Sequence, residues 1–452
     1  MEVLQRTANR GSISTGLYEI DNSVKMEDAN NESLNIGNGN SGQRRTFTVS
    51  MWVKRTELGY NRIWGAGVSG NDVMAAYFKD TDDIVFYDYG SSAYRFNYKT
   101  NRLFRDTSAF YHLVFAVDTE QGTEANRVRL YVNGVEETSF ATQTEPSQNA
   151  DTNWNSTGNK DIGSTIGENP QFSGYVSEVY FIDDQQLAPT NFGKFDDDTG
   201  IWIPKKFSGT FGSKDAFLNF NSSGSMGADS SGNSNNFNLV NITAADQATD
   251  TPTNNFAVGN PLNVTPAGIF TQGATRWVSV NGTGMNGAWN LATIAMPAGK
   301  WHCEVKCIAN DSYFQWGISP THPNDNFSTR LMYRSDGNIY NAGAGGNTTG
   351  HTSYTNGDII GMSYDASANT VIFSKNGTAV VTKTAIANDE PYFFGGTGLS
   401  SGTYTGDFNF GGYANYAISS AATDANGYGT FEYAPPSGYL ALCTKNLAET
   451  GG

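Results

Sequence analysis

The sequence predicts an all-β protein made of two antiparallel β-sandwiches joined by a polar connector, and three observations carry that expectation. Two strand-like runs, one in each half, end in Asn-Gly: Arg129-Leu-Tyr-Val132 into Asn133-Gly134, and Val371-Ile-Phe-Ser-Lys375 into Asn376-Gly377. Asn-Gly between such runs is the strongest short-range signal of a two-residue type I′ hairpin, because both central residues need positive φ. Short apolar-alternating segments bounded by Gly, Asn, Asp or Pro recur along the chain, and no long stretch of helical period interrupts them. The composition, rich in Gly, Asn, Ser, Thr, Tyr and Phe and poor in Lys, Glu and Leu, suits strands and turns over helices.

Residues 1–206 are expected to form the first sandwich with a polar lead-in. In Thr46–Lys54, Phe47, Val49, Met51 and Val53 share one face, the core face, while Trp52 falls on the other, where a second layer must cover it. Tyr111–Asp118 and Val128–Val132 read as further strands, and Phe172–Ile182 is too densely apolar to lie at an edge. Phe192–Pro204 reads as an exit segment around Asp196, Asp197 and Asp198. Residues 207–255 turn polar, most of all at Asp229–Asn236, and are expected to bury little and act as a connector, with Asp215–Phe220 free to give one strand to either neighbour. Residues 256–452 are expected to form the second sandwich, from Gly299–Cys307, Tyr313–Ser319, Asp358–Tyr364 and Thr370–Lys375 among others. A heptad segment is missing, so a self-made coiled coil is not expected.

The 452-residue chain carries 28 Lys and Arg against 44 Asp and Glu, a formal charge of −16. That field opposes nucleic acid, and no apolar run is long enough for membrane insertion. Met1–Arg10 is charged without an apolar centre, which argues against a cleaved secretory leader. Three cysteines make no disulfide framework; Cys303 and Cys307, four apart, share a strand face and read as core. None of the four histidines stands beside a nucleophile motif.

Phe47–Lys54, Tyr111–Phe115, Leu130–Gly134 and Phe172–Phe181, in that order, resemble a laminin-G/concanavalin-like jelly roll. Gly299–Val305, Trp316–Ser319, Asn356–Gly361, Val371–Gly377 and Pro391–Phe394 are similar to a SPRY domain. The tandem, with the lead-in Ser12–Gly16 and the connector Asp250–Asn255, resembles a virion structural protein of marine tailed bacteriophages. The resemblance implies a non-enzymatic virion surface protein, a fibre, tail appendage or capsid-surface component, adhering to host-surface glycan or receptor. An alternative is capsid or tail decoration, cementing neighbouring subunits. Its implied partners are other virion proteins and further copies of itself as a homo-oligomer, and it would be made in the host cytoplasm and released by lysis.

Candidate residues follow from these readings. Sugar binding uses aromatic faces with polar edges, and Tyr87, Tyr89, Tyr94, Tyr98 and Trp154 lie in or near polar, loop-like stretches. The SPRY resemblance implies a partner-gripping loop surface near Tyr333, Arg334, Asp336, Tyr340 and the loop from Gly343 to Tyr354. No cofactor is implied except calcium, which some laminin-G-like domains hold; Asp80, Asp82 and Asp83 are the best carboxylate cluster for it. Polysaccharide depolymerisation would need two facing carboxylates at about 5 to 10 Å. Glu304, Glu178 and Asp118 are imaginable in those roles, but no spacing brings any two together.

Overall fold

A computed structural model describes residues 18–37, 42–166, 171–264, 268–279, 289–310, 314–320, 330–341, 347–385, 391–398 and 403–450. They fall into two compact units, one ending at Thr253 and the next beginning at Asn254.

The N-terminal unit contains, in chain order, β1 (Ser23–Met26), β2 (Ser33–Ile36), β3 (Thr46–Arg55), β4 (Asn61–Ser69), β5 (Asp72–Phe78), β6 (Ile84–Gly90), β7 (Ala93–Thr100), β8 (Tyr111–Asp118), β9 (Val128–Val132), β10 (Val135–Glu136), β11 (Phe140–Thr144), β12 (Asn159–Ile162), β13 (Gly174–Asp183), β14 (Gly193–Phe195), β15 (Trp202–Pro204), β16 (Ala216–Leu218), β17 (Asn238–Val240) and β18 (Gln247–Ala248). One sheet runs β10-β9-β8-β3-β13-β1-β18 with β16 also on β13, and the other runs β11-β7-β6-β5-β4-β12-β2-β17. Between them Phe47, Val49, Met51 and Val53 meet Trp64, Met74, Phe86 and Phe96 in one core, as the alternation of β3 predicts. The first hairpin signal holds: Asn133 and Gly134 have φ of 49° and 81°. Gly134 is doubly constrained, since a Cβ there would sit 2.2 Å from the Trp202 ring.

Two expectations are corrected. Residues 207–253 lay β16, β17 and β18 onto the two sheets and put Phe220, Met226 and Phe237 into the same core. Their polar residues replace sheet ladders as backbone partners: the Asp229 carboxylate accepts from the backbone amides of Phe217, Ser231 and Asn235. The segment Phe192–Pro204 is a cover and not an exit. Phe192 and Phe207, on either side of its β14–β15 hairpin, pack on Val114, Ala116, Tyr180 and Ile182 over the outer face of the first sheet, and Trp202 of the hairpin stacks on His112. That cover buries Trp52 against His112 at 4.6 Å between ring centroids. Trp202 Nε1 donates to His112 Nδ1 at 3.0 Å, which leaves the proton on Nε2, 2.9 Å from Ser50 Oγ. Burial pulls the His112 pKa down to about 3, so the ring is a neutral structural link.

The described residues of the C-terminal unit form two sheets. Its strands are β19 (Gly259–Val264), β20 (Gly268–Thr271), β21 (Arg276–Ser279), β22 (Trp289–Ala292), β23 (Lys300–Asn310), β24 (Gln315–Ser319), β25 (Leu331–Arg334), β26 (Ile339–Asn341), β27 (Ile359–Asp365), β28 (Thr370–Lys375), β29 (Thr378–Thr384), β30 (Phe393–Thr397), β31 (Tyr404–Asn409) and β32 (Leu440–Ala441), followed by the six-residue helix α1 (Thr444–Glu449). The sheets run β19-β22-β30-β24-β25-β26 and β20-β21-β31-β23-β27-β28-β29, with β32 on β23. Asn376 and Gly377 repeat the positive-φ pair at 47° and 77° between β28 and β29. Among the described residues no helix is long and apolar enough to cross a membrane.

Cys303 and Cys307 lie on the core face of β23 with Trp301 and Val305, and Cys443 is buried too; all three thiols are free. Burial pushes the thiols of Cys307 and Cys443 up to about 12, which removes the reactive thiolate. Iodoacetamide at pH 8 is therefore expected to label none of the three in the native chain and all three in denaturant, read by intact mass. Rapid native labelling of Cys303 would mean that this core opens.

Candidate functional site

The second sheet of the N-terminal unit turns one face to the core and the other outward. On β6 Phe86 and Asp88 are buried inward, so Tyr87 and Tyr89 between and after them face outward. Register then gathers residues from neighbouring strands: Tyr89 pairs with Tyr94, Tyr87 with Asn97 and with Ala75, and Tyr77 stands two residues along β5 on the same face. The rings form a continuous chain. Tyr60 stacks on Tyr77 at 5.2 Å, Tyr77 meets Tyr87 edge-on at 6.1 Å, Tyr87 meets Tyr94 at 5.7 Å, and Tyr94 meets Tyr89 at 5.2 Å.

Tyr60 and Tyr94 are exposed, the other three half-buried, and the buried Ala75 and Val73 form the floor. The Arg62 guanidinium lies 5.8 Å from the Tyr77 ring centre. Asn97 Oδ1, beside Tyr87, is buried with no hydrogen-bond partner among the described residues. Burial, together with the neighbouring Tyr60, raises the Tyr77 hydroxyl far above the ordinary phenol value, so it stays a neutral donor. A face of this kind offers apolar ring surface flanked by amide and guanidinium groups, which is what the C–H and O–H surfaces of a sugar require.

Of the residues singled out from sequence, the structure brings Tyr87, Tyr89 and Tyr94 together, on strands and not on loops. Tyr60 and Tyr77 were missed; the period-2 position of Tyr77 in β5 was the available signal. Tyr98 is corrected: opposite Phe86 it points into the core, and its hydroxyl donates to Glu145. Trp154 is corrected as well. It is fully buried, stacked on Phe47 at 4.5 Å and Phe181 at 5.4 Å, with the Lys160 ammonium 4.4 Å from its ring centre.

In the C-terminal unit Tyr333 is also core, packed on Tyr354 and Phe373 with its hydroxyl given to the Thr352 carbonyl. Arg334 spends its fork on Asp336 of its own hairpin and lies 4.6 Å over Tyr340, and that hydrogen bond holds the Asp336 carboxyl below its ordinary pKa. These three form a self-paired cluster, not an open bidentate anchor. The loop Gly343–Tyr354 lies partly outside the described residues.

The acidic run does not converge. Asp82 is held by Arg55 at 3.1 Å and Arg105 at 3.0 Å, Asp83 accepts from Thr81 and lies 3.7 Å from Lys99, and Asp80 is exposed beside Lys79 at 3.9 Å. Basic side chains thus pair with both oxygens of Asp82 and approach one oxygen of Asp83 and of Asp80, and among the described residues no three His, Cys, Asp or Glu side chains are grouped as metal ligands. Glu304 is a structural pin: it accepts from the amides of Glu432 and Tyr433 at 2.9 and 2.8 Å and from Tyr416 at 3.2 Å.

Comparison with known proteins agrees with the two-part architecture. A family model for the concanavalin A-like lectin/glucanases superfamily matches residues 28–188, and a SPRY-domain model matches residues 310–413. No curated protein matches the chain. Among solved structures it is similar to domains LG4-5 of the mouse laminin alpha1 chain at 11% identity and a TM-score of 0.31, covering 85% of this chain and 84% of that one. The SPRY domain of human HERC1 follows at 20% identity and 0.29, covering 33% and 96%. Domain 4 of the Geobacillus stearothermophilus arabinanase AbnA, in complex with arabinotriose, is similar at 20% identity and 0.29, covering 40% and 79%. Two family models thus match the chain in tandem, the concanavalin A-like lectin/glucanases superfamily within the N-terminal unit and the SPRY domain within the C-terminal unit.

Proposed function

We propose that this protein is a non-enzymatic adhesion protein whose N-terminal sandwich holds glycan across its tyrosine face. The observation that carries this reading is the unbroken chain of five rings, Tyr60, Tyr77, Tyr87, Tyr94 and Tyr89, on one solvent-facing sheet surface. Aromatic rings left outside the core at that density are surplus to folding and suit a ligand with apolar faces. The motif order and lead-in support a finer placement, as an exposed component of a virus particle that binds host-surface glycan and assembles with other virion subunits and its own copies.

Tyr60→Ala and Tyr94→Ala remove exposed rings and should leave the unfolding temperature unchanged. Each is expected to weaken oligosaccharide binding by about tenfold in calorimetric titration, the worth of one well-placed ring. Unchanged affinity in both variants would remove the tyrosine face from the reading. Release of reducing ends from the bound polysaccharide would overturn its non-enzymatic part.

One observation favours decoration of a particle as a second reading. Strand β29 ends its sheet with Thr378, Ala379, Thr382 and Thr384 exposed and no proline to blunt it, an edge able to accept a neighbour's strand. Binding to purified particles without binding to any glycan would select this reading.

A further inference from the structure

Strand β1 sends Val24 and Met26 into the core, so alternation turns Lys25 between them to the outer face of the first sheet. There it meets Glu32, the residue just before β2, and Asp246, the last residue of the 3₁₀ turn Ala244–Asp246. The three side chains are sealed from solvent, at 1%, 4% and 9% exposure. Lys25 Nζ stands 2.8 Å from Asp246 Oδ1, and 2.9 and 3.1 Å from Glu32 Oε2 and Oε1. One ammonium and two carboxylates leave net negative charge in a site closed to water, and the desolvation of three charges is repaid poorly by two ion contacts.

The two carboxyl groups are held differently. Asp246 Oδ2 accepts from the Thr243 amide at 2.8 Å and from the Thr243 hydroxyl at 3.0 Å, so two donors polarise its Cγ while Oδ1 is turned to the amine. Glu32 Oε1 accepts from Asn30 Nδ2 at 2.8 Å. Burial raises the Glu32 carboxyl above its ordinary value, against the pull of Lys25, which makes it a base able to take a proton from the ammonium and give it back. An amine nucleophile, a carboxyl carbon under two donors and a proton carrier in mutual contact are the parts that acyl transfer requires.

We infer that Lys25 and Asp246 condense within the folded chain into an isopeptide bond, with Glu32 carrying the proton. The Nζ–Cγ bond forms and the Cγ–Oδ1 bond breaks. Of the three protons on the ammonium, one stays on the amide nitrogen and two leave with Oδ1 as water, at least one of them by way of Glu32, which ends as the carboxylate it began as. No other reactant is consumed. The step removes one positive and one negative charge from the sealed site, and the new amide N–H keeps Glu32 as its acceptor. Groups fixed in contact reach effective concentrations of roughly 10⁵–10⁸ M, which offsets the cost of condensing an amine with an acid. The bond ties β1, the first strand of the N-terminal unit, to one of its last segments, and it stands independently of the glycan reading.

The mass of the intact full chain, measured in denaturant and allowing for the initiator methionine, tests it. The chain is expected to be lighter than its sequence by one water, and proteolysis should release one branched peptide joining the segment of Lys25 to that of Asp246. Lys25→Arg and Glu32→Gln should each restore the full mass, whereas Asp246→Asn should close with loss of ammonia and give the wild-type product mass. Full sequence mass in the wild-type chain overturns the bond, and that result needs no variant to fold. A missing water with Lys25 and Asp246 recovered in separate peptides overturns it equally. A branched peptide that still forms in Glu32→Gln overturns the proton-carrying role of Glu32.

Discussion

Asp250→Ala is expected to destabilise the N-terminal unit by about 3–5 kcal/mol, among the largest single effects available in this chain. Lys54 Nζ meets Asp250 Oδ2 at 2.8 Å with both side chains essentially sealed from solvent, at 0% and 1% exposure. The pair joins the centre of the first sheet to the last turn of the unit. Burial pulls the Lys54 pKa down while the Asp250 carboxylate pulls it back up, so removing the acid takes this carboxylate from a fully buried ammonium that lies by the Phe110 and Tyr175 rings. The measurement is calorimetric unfolding of the full chain at pH 7, following the N-terminal transition. The double replacement Lys54→Met with Asp250→Leu should recover most of the loss, because it strands no charge. A loss under about 1 kcal/mol for Asp250→Ala would mean the pair behaves like a surface one and its burial is not felt.

The second large effect is a stability that falls as pH rises. Glu178 occupies the bulge of β13 with φ of 45°, is 2% exposed, and accepts from the hydroxyls of Tyr18 and Tyr180, with no cationic partner among the described residues. Burial raises its pKa from 4.5 to about 7. The folded unit therefore holds a proton that the unfolded chain releases above pH 4.5. Stability is fully present below that value, is lost as pH rises through about 7, and is level above it. The loss is roughly 3 kcal/mol for this group. Glu57, raised to about 7 by burial and by Glu27, and Asp88 and Asp161, raised to about 6 by burial, act in the same direction. The N-terminal transition should thus lie higher at pH 5 than at pH 8, and Glu178→Gln should flatten that slope by its share. Identical pH slopes for wild type and Glu178→Gln would show that the carboxyl ionises freely in the fold.

Several features were legible in the residues alone. The two Asn-Gly turns could be read because positive φ at consecutive positions is a local requirement that few residue pairs meet. The core face of β3 and the burial of Cys303 and Cys307 could be read because a strand alternates with a fixed period of two. Tyr98 and Trp154 were misread for the opposite reason. A polar neighbourhood says nothing about which side of a sheet a ring takes, and Tyr98 is fixed inward by its pairing with Phe86. Asp82 looked available to a cation until Arg55, 27 positions away in the chain, proved to hold it.

What the sequence by itself determined is the fold class, two β bodies in series, with the positions of the main strands and tight turns, since these depend on interactions among residues a few positions apart. What only the tertiary structure decided is which faces are covered and which are open: the β14–β15 hairpin closing one sheet, the pairing of Lys54 with Asp250, and the register that aligns tyrosines from separate strands. These depend on contacts between distant segments, whose free energy comes from burial and pairing in three dimensions and leaves no periodic trace along the chain.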